Sequence, residues 1–245
     1  MFATSVAGGR PLRYDDPMNI LERNPWANWN RSCPPYILDT DGEFVERHNA
    51  TARREHRIMH GSIPEPFIGD PRTARVVLLG LNPGHKPEAE LDHARPEIRK
   101  AMFDNLHHHE SQEYPFYPLN PTFAGTGVAC WWHKHIRELK NEAGLDDQTF
   151  AKRLLVIEWF PYPSQRCKFQ EPIGGSQDYC FQLAMHMLQK QGIEVIGMRS
   201  KKQWGKANEA FLQIPYLNSP QNPCLTKRNM DRSVYDRLLQ ALKRE

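Results

Sequence analysis

The sequence predicts an α/β fold, a three-layer α/β/α sandwich with a central, mostly parallel sheet of about four strands. Four short apolar runs are separated by stretches with helical patterning. The first three runs are dense in Val, Ile and Leu, which is typical of strands covered on both faces. Strands that alternate with helices favour parallel pairing, because the helix returns the chain to the same end of the sheet.

The length of 245 residues suits one domain, residues 1–245, with residues 1–62 as an N-terminal arm and helix packed on it. The arm is irregular in pattern, and we expect three of its aromatic side chains to pack on the main body: Trp26, Trp29 and Tyr36. Residues 42–60 have the pattern of a charged helix. A proline-containing segment ends it, because proline cannot continue a helix.

The remaining elements follow in alternation. The predicted strands are Ala74–Gly80, Leu154–Trp159, Glu194–Met198 and Ile214–Asn218. The predicted helices lie near 96–108, 129–142, 177–191, 201–211 and 231–243. In open parallel sheets, sites form where the carboxyl ends of the strands lead into loops. The residues after these runs are therefore the first candidates for chemistry.

Composition narrows the function classes. Hydrophobic residues make up 39% and charged residues 25%, which supports a packed core, and the net charge of +3 permits nucleic-acid binding without requiring it. No apolar run is long enough for a membrane span, and the N-terminus lacks the apolar segment of a signal peptide. Five cysteines without a CxxC pair predict reduced thiols. We expect a cytoplasmic monomer with no metal and no cofactor.

The first apolar run ends in the turn Gly80-Leu81-Asn82-Pro83-Gly84. Two glycines and a proline make this turn tight and rigid, and it holds one polar side chain, Asn82. Alone, such a tripeptide also fits an ordinary turn in which the asparagine only caps. The wider string, from residue 66 to residue 84, reads PFIGDPRTARVVLLGLNPG.

This string resembles the first motif of the uracil-DNA glycosylase superfamily, and is closest to its mismatch-specific and single-strand-selective branches. The resemblance implies an enzyme that flips a base out of DNA and hydrolyses its bond to the sugar. It implies that Asn82 positions the attacking water, with Leu81 at the base and with Pro83 and Gly84 at the DNA. An amide is a poor base, so its part is orientation.

The loop after the fourth run resembles the second motif of the family, in which a polar residue, a hydrophobic wedge and phosphate contacts follow the last strand. Either Asn218 or Asn222 fits the motif position, and we favour Asn218 as the second catalytic residue. Leu225 is the candidate wedge, which would fill the gap left by the flipped base. The remaining candidate DNA contacts of this loop are Ser219, Asn222, Lys227 and Arg228. A proline-rich loop with a helix cap is the alternative.

Glu158 stands near the end of the second run, where several branches of the family carry an asparagine that reads uracil. An ionised carboxylate only accepts hydrogen bonds, and therefore prefers the 4-amino group of cytosine. A protonated carboxyl would instead donate to N3 and help the base to leave. A surface or ion-paired glutamate is the alternative without function. Ser164, farther along the same loop, is assigned to DNA.

Phe116 and Tyr117 are candidates to stack on the everted base, and aromatic packing inside a loop is the alternative. Lys201 begins a basic cluster beyond the third run and is assigned to DNA. The predicted function is a monofunctional DNA glycosylase acting on uracil, mismatched thymine or a modified cytosine, in base-excision repair or antiviral defence. The alternatives are a catalytically silent nucleic-acid-binding protein and a hydrolase of free nucleosides or nucleotides.

Overall fold

The structure, a computed structural model, describes residues 20–168, 172 and 174–244. Its centre is a four-stranded sheet of order β1-β3-β2-β4, which confirms the predicted α/β class. β2 pairs in parallel with β3 and with β4, while β1 pairs antiparallel with β3. The strands are β1 (Phe67–Ile68), β2 (Val76–Leu79), β3 (Leu154–Ile157) and β4 (Glu194–Gly197).

The parallel strands end at one level. Every side chain of β2 and β3 is buried, and because successive side chains point to opposite faces, helices must cover both faces of the sheet. Leu79 is in register with Ile157 on one side and with Gly197 on the other. The three parallel strands therefore end side by side, and the residues that follow them share one edge of the sheet.

The helices form the two outer layers. Against the sheet, α6 packs on β3 and β4, and α8 packs on β2 and β4. Within the described residues, no helix has the length and apolar character needed to cross a bilayer. The α-helices are α1 (Gly42–Thr51), α2 (Pro87–Ala94), α3 (Pro96–Leu106), α4 (Gly127–Ala143), α5 (Asp147–Arg153), α6 (Ser176–Gln189), α7 (Lys201–Ala207) and α8 (Arg232–Lys243).

Two predicted helices are shorter than expected. The helix predicted over 42–60 ends at Thr51, and a separate 3-10 turn follows at Arg54–His56. The helix predicted over 201–211 breaks at Asn208, which has an extended backbone and accepts a hydrogen bond from the Ala210 amide. That asparagine caps a new 3-10 turn instead of continuing the helix.

The prediction of a fourth strand at Ile214–Asn218 was wrong. Only Tyr216 forms an isolated parallel bridge there, with Gly197. The segment still lies beside β4, because the Gly197 amide donates to the Pro215 carbonyl and the Leu217 amide donates to the Gly197 carbonyl. Pro215 has no amide hydrogen, which limits longer pairing. The fourth strand is the two-residue β1 instead.

Gly69 allows β1 to leave the sheet directly against β3. Its φ of +124° is rarely accessible to residues with a side chain, and a Cβ there would lie 2.3 Å from the Leu154 carbonyl oxygen. The backbone at this point is therefore open to glycine alone, and the glycine sets the path from β1 towards β2.

From residue 20 onwards, the N-terminal segment packs on the body of the protein. Trp26 is fully buried, and its ring meets Phe67 and Tyr179 edge to face at 6.1 and 6.3 Å between centroids. Trp29 stacks on Phe103 at 5.7 Å. Residues 1–19 of the predicted arm lie outside the described residues. The described part of the arm is joined to the same hydrophobic core as the sheet.

Candidate functional site

Asn82 is fixed in the turn that follows β2. Its Nδ2 donates to the Pro83 carbonyl at 2.8 Å and to the Ser164 Oγ at 3.0 Å. Ser164 is buried, and its own amide donates to the Pro83 carbonyl at 3.3 Å. Because Nδ2 has two partners on one side, the amide oxygen is directed away from them. The side chain is thus held as an oriented acceptor, which is what the positioning of a water requires.

The turn itself is fastened to the neighbouring loop. The Phe160 amide donates to the Leu81 carbonyl at 2.8 Å, and Gly84 forms a parallel bridge with Ser164. Leu81 packs partly on the core, Pro83 is buried and Gly84 is exposed. Of these predicted contact residues, Gly84 presents its backbone to solvent at the outer end of the turn. Ser164, which was predicted to contact DNA, accepts a hydrogen bond from Asn82 and so helps to fix the Asn82 side chain.

Gly80 brings the two strand ends into close contact. Its carbonyl accepts a hydrogen bond of 2.7 Å from the Trp204 indole. A Cβ on Gly80 would lie only 2.1 Å from the Glu158 Oε2. The absence of a side chain on Gly80 therefore gives the Glu158 carboxyl its place directly over the end of β2.

Glu158 has the electrostatics of a poised acid. The residue is half-buried, and its Oε2 is shielded from solvent with no hydrogen-bond partner among the described residues. Burial raises its pKa to about 8, the Arg199 charge opposes that rise, and the Glu65 charge adds to it. At neutral pH most of the Glu158 carboxyl is therefore protonated and able to donate. Among the residues that the structure describes, Glu158 has no partner in a surface ion pair.

Glu65 is a site residue that the sequence reading missed. It lies just before β1, and its Oε1 accepts a hydrogen bond of 2.5 Å from the Tyr117 hydroxyl. Burial raises the Glu65 pKa to about 7, against a lowering by that hydrogen bond. Burial, Glu65 and Glu158 together raise the Tyr117 pKa well above its usual value. Two carboxyl groups and a phenol therefore lie close together at the sheet edge. The only sequence signal for Glu65 was its position between two prolines.

The predicted stacking aromatics are corrected by their burial. Phe116 has no exposed surface and packs edge to face on Trp132 at 5.1 Å. Tyr117 is 2% exposed and stacks on Phe123 at 4.9 Å. The segment turns inward because the Phe116 amide donates to the Ala151 carbonyl. Packing on α4 accounts for the Phe116 ring and packing on Phe123 accounts for the Tyr117 ring, while the Tyr117 hydroxyl bonds to Glu65.

The predicted wedge, Leu225, is also corrected. Its side chain is fully buried, and its amide donates to the His135 carbonyl at 2.8 Å. A wedge must project into the duplex, and this side chain faces the core instead. Leu225 therefore anchors the last loop to α4.

The last loop is organised by Asn229, which the sequence reading did not single out. Its Nδ2 donates to the Asn222 carbonyl at 2.9 Å, and its Oδ1 accepts from the Ser219 amide at 2.7 Å. Its carbonyl accepts from the Asn218 amide. The side chains of Asn218, Ser219 and Asn222 are exposed. All three predicted polar residues therefore lie on one surface loop. Among the described residues, none of the three hydrogen-bonds to Asn82 or Glu158.

The predicted phosphate contacts differ in their availability. Lys227 is paired within the protein, since its Nζ lies 2.7 Å from the Glu142 Oε2 and 5.6 Å from the Tyr235 ring centre. Its side chain is nevertheless 52% exposed, and its assignment to phosphate stays a prediction. Arg228 is exposed on the loop, and Lys201 is exposed with its Nζ 5.4 Å from the Tyr216 ring centre.

Replacing Leu225 by alanine tests its structural role. We expect the free energy of unfolding to fall by about 2–5 kcal/mol, the usual cost of a cavity at a buried leucine. Thermal or denaturant unfolding measures this loss. The matched control is Leu91→Ala, because Leu91 is 75% exposed and its loss costs about 0.5 kcal/mol or less. Unchanged stability with weakened DNA binding would restore the wedge assignment.

A metal-binding site is not formed by the residues that the structure describes. Among the residues that the structure describes, no group of three or more His, Cys, Asp or Glu side chains is arranged to hold a metal ion.

Comparison of the chain with models of protein families, with characterised proteins and with solved structures found no match. Function is therefore inferred from the geometry of the site.

Proposed function

We propose that this protein is a DNA glycosylase that hydrolyses the N-glycosidic bond of an everted pyrimidine and leaves an abasic site. One observation carries the proposal: a fixed carboxamide, Asn82, and a carboxyl with a buried, unpartnered oxygen, Glu158, leave the same sheet edge from neighbouring strands. Groups that orient a water and protonate a leaving group are the two needs of this hydrolysis. The motif resemblance of residues 66–84 agrees with it.

The chemistry divides between these two groups. Protonated Glu158 donates to the departing base as the bond between C1′ and the base nitrogen breaks and the bonding electrons pass to the base. The sugar then carries oxocarbenium character. Asn82 orients a water towards C1′. The hydroxyl of this water bonds to C1′ and stays on the sugar, and the other proton of the water returns through solvent to Glu158. The raised Glu158 pKa supports this role, because a general acid works best with a pKa near the working pH.

A neutral Glu158 broadens the choice of base. A protonated carboxyl offers one donor and one acceptor. The cytosine edge presents N3 as an acceptor and the 4-amino group as a donor, whereas uracil presents the opposite pair at N3 and O4. Both edges match a neutral carboxyl, which only has to reverse its orientation. The target is therefore proposed as a pyrimidine, with uracil, mismatched thymine and modified cytosine all compatible.

A panel of duplexes tests the proposed activity. Duplexes carrying uracil, a thymine mismatch, hydroxymethylcytosine or glucosylated hydroxymethylcytosine are incubated with the protein and scored for alkali-labile breaks. We expect breaks at one modified position and none in an unmodified duplex. DNA binding without breaks in any substrate would favour a silent binding protein. Turnover of free nucleosides with little dependence on salt would favour a small-molecule hydrolase.

Charge substitutions around Glu158 are expected to move its pH dependence in opposite directions. Glu65→Gln removes a charge that raises the Glu158 pKa, so the loss of base release at alkaline pH should begin at a lower pH. Arg199→Met removes a charge that lowers the same pKa, so the loss should begin at a higher pH. Single-turnover rates across the pH range measure both shifts. General damage to the site would not produce opposite signs, and shifts in the same direction would contradict the assignment.

A further inference from the structure

Trp131 on α4 presents an aromatic surface that is both exposed and rigid. Its side chain is 37% exposed. The ring stacks on His135 with centroids 3.9 Å apart and planes 23° apart, and it meets Trp132 edge to face at 4.6 Å. One face of the indole is thus held by protein, which fixes its orientation. An ordered indole at the surface is a ready platform for a flat ligand.

The position of Trp131 relates it to the proposed site. α4 contacts α2, the helix that follows the Asn82 turn, and it also contacts the 3-10 turn Tyr117–Leu119. One helical turn beyond Trp131, the His135 carbonyl accepts the Leu225 amide from the last loop. The helix that carries Trp131 therefore joins the element after the Asn82 turn to the last loop, and the last loop is bonded one helical turn from Trp131.

Positive charge accompanies the ring pair. Lys134 is exposed on the same helix, and Arg199 follows β4 at the sheet edge. Burial lowers the His135 pKa, its hydrogen bond to the Trp131 carbonyl opposes this, and the charges of Lys134 and Arg199 lower it further. The neutral form of His135 is therefore favoured, and both cations lie near enough to His135 to lower its pKa. Aromatic rings with flanking cations are the common pattern of single-strand binding.

We propose that Trp131, backed by His135, stacks on an unpaired base of single-stranded DNA beside the everted nucleotide, with Lys134 and Arg199 at the adjoining phosphates. This inference rests on the proposed function, which makes DNA the substrate. Leu91 and Leu212 are exposed too, but an aliphatic side chain has no flat face to stack.

The exposed indole face of Trp131, backed by His135, is called the shelf. Binding of a fluorescein-labelled oligothymidylate of about 12 nucleotides, followed by fluorescence anisotropy, tests the shelf. We expect Trp131→Leu, which stays apolar but loses the aromatic face, to weaken binding about 10- to 100-fold. Trp131→Phe should retain most of the affinity. Leu212→Ala is the matched control, because Leu212 is 38% exposed, and it should bind as the unaltered protein does. Equal melting temperatures establish that the variants are folded.

The outcomes separate this inference from the proposed function. Wild-type affinity in Trp131→Leu, or no binding of the oligothymidylate by the unaltered protein, would overturn the shelf. The probe holds no uracil, no modified cytosine and no mispaired thymine, so its binding does not depend on base release. If every modified duplex stays intact while Trp131→Leu still loses affinity, the glycosylase proposal fails and the binding surface stands. If duplexes are cleaved while Trp131→Leu binds normally, only the shelf fails.

Discussion

Replacing Asn82 with alanine is expected to lower the single-turnover rate of base release by about 100-fold or more, while the affinity for DNA stays close to that of the unaltered protein. The amide holds no charge and is a poor base, so its contribution is the placement of the water relative to C1′. Its two hydrogen bonds from Nδ2 fix that placement. Single-turnover kinetics with excess protein separate the chemical step from binding and product release.

Asn141→Ala is the matched control for Asn82→Ala, because it makes the same substitution on the exposed surface of α4. It should leave the rate unchanged. Ser164→Ala removes one partner of the Asn82 amide and should give a smaller loss than Asn82→Ala itself. A wild-type rate in Asn82→Ala would remove this residue from the mechanism.

Glu158→Gln is expected to have the second large effect, a loss of about 10²–10⁴-fold in the rate near pH 7. Glutamine keeps one donor and one acceptor, so it preserves the hydrogen bonding of the protonated carboxyl to the base. It cannot transfer a proton. The unaltered protein should also lose activity as the pH rises through about 8, where Glu158 ionises, and the variant should lack this decline.

Two further measurements separate the roles of Glu158. Glu209→Gln, at an exposed position, is the control and should behave as the unaltered protein. Glu158→Ala removes hydrogen bonding as well as proton transfer, and should weaken binding of the modified duplex in addition to slowing the reaction. Activity that increases as the pH rises through 8 would mean that the ionised carboxylate is the working form.

The same Glu158→Gln substitution should change stability with a definite sign. The folded-state pKa of about 8 exceeds the ordinary value of 4.5, so between these pH values the folded protein holds a proton that the unfolded chain has lost. The contribution of Glu158 to the free energy of unfolding therefore falls as the pH rises through this window. The melting temperature of Glu158→Gln, measured relative to that of the unaltered protein, should therefore increase from pH 5 to pH 8.

The parallel core of the fold was predictable because its signal is local. β2, β3 and β4 lie within the apolar runs dense in Val, Ile and Leu, and such runs are typical of strands buried on both faces. β1 was missed because two residues between a proline and a glycine carry no periodicity. The strand predicted around Tyr216 failed for the opposite reason, since apolar composition does not specify a hydrogen-bonded ladder.

The site was predictable only where one strand end carried its own signal. Asn82 and Glu158 could be found because each lies within three residues of the end of a recognisable strand. The hydrogen bond between Glu65 and Tyr117 joins residues 52 positions apart, and no local pattern predicts it. The burial of Leu225 likewise depends on its contact with α4, which tertiary packing determines and sequence composition does not.

The sheet exposes little backbone to other chains. At one margin β1 is only two residues long, and at the other Pro215 and Leu217 hydrogen-bond with Gly197 at the end of β4. Long, unpaired margins are where a strand from a second molecule can add and begin aggregation. The short β1 and the bonded end of β4 therefore reduce the length of free strand margin to which a strand from a second molecule could add.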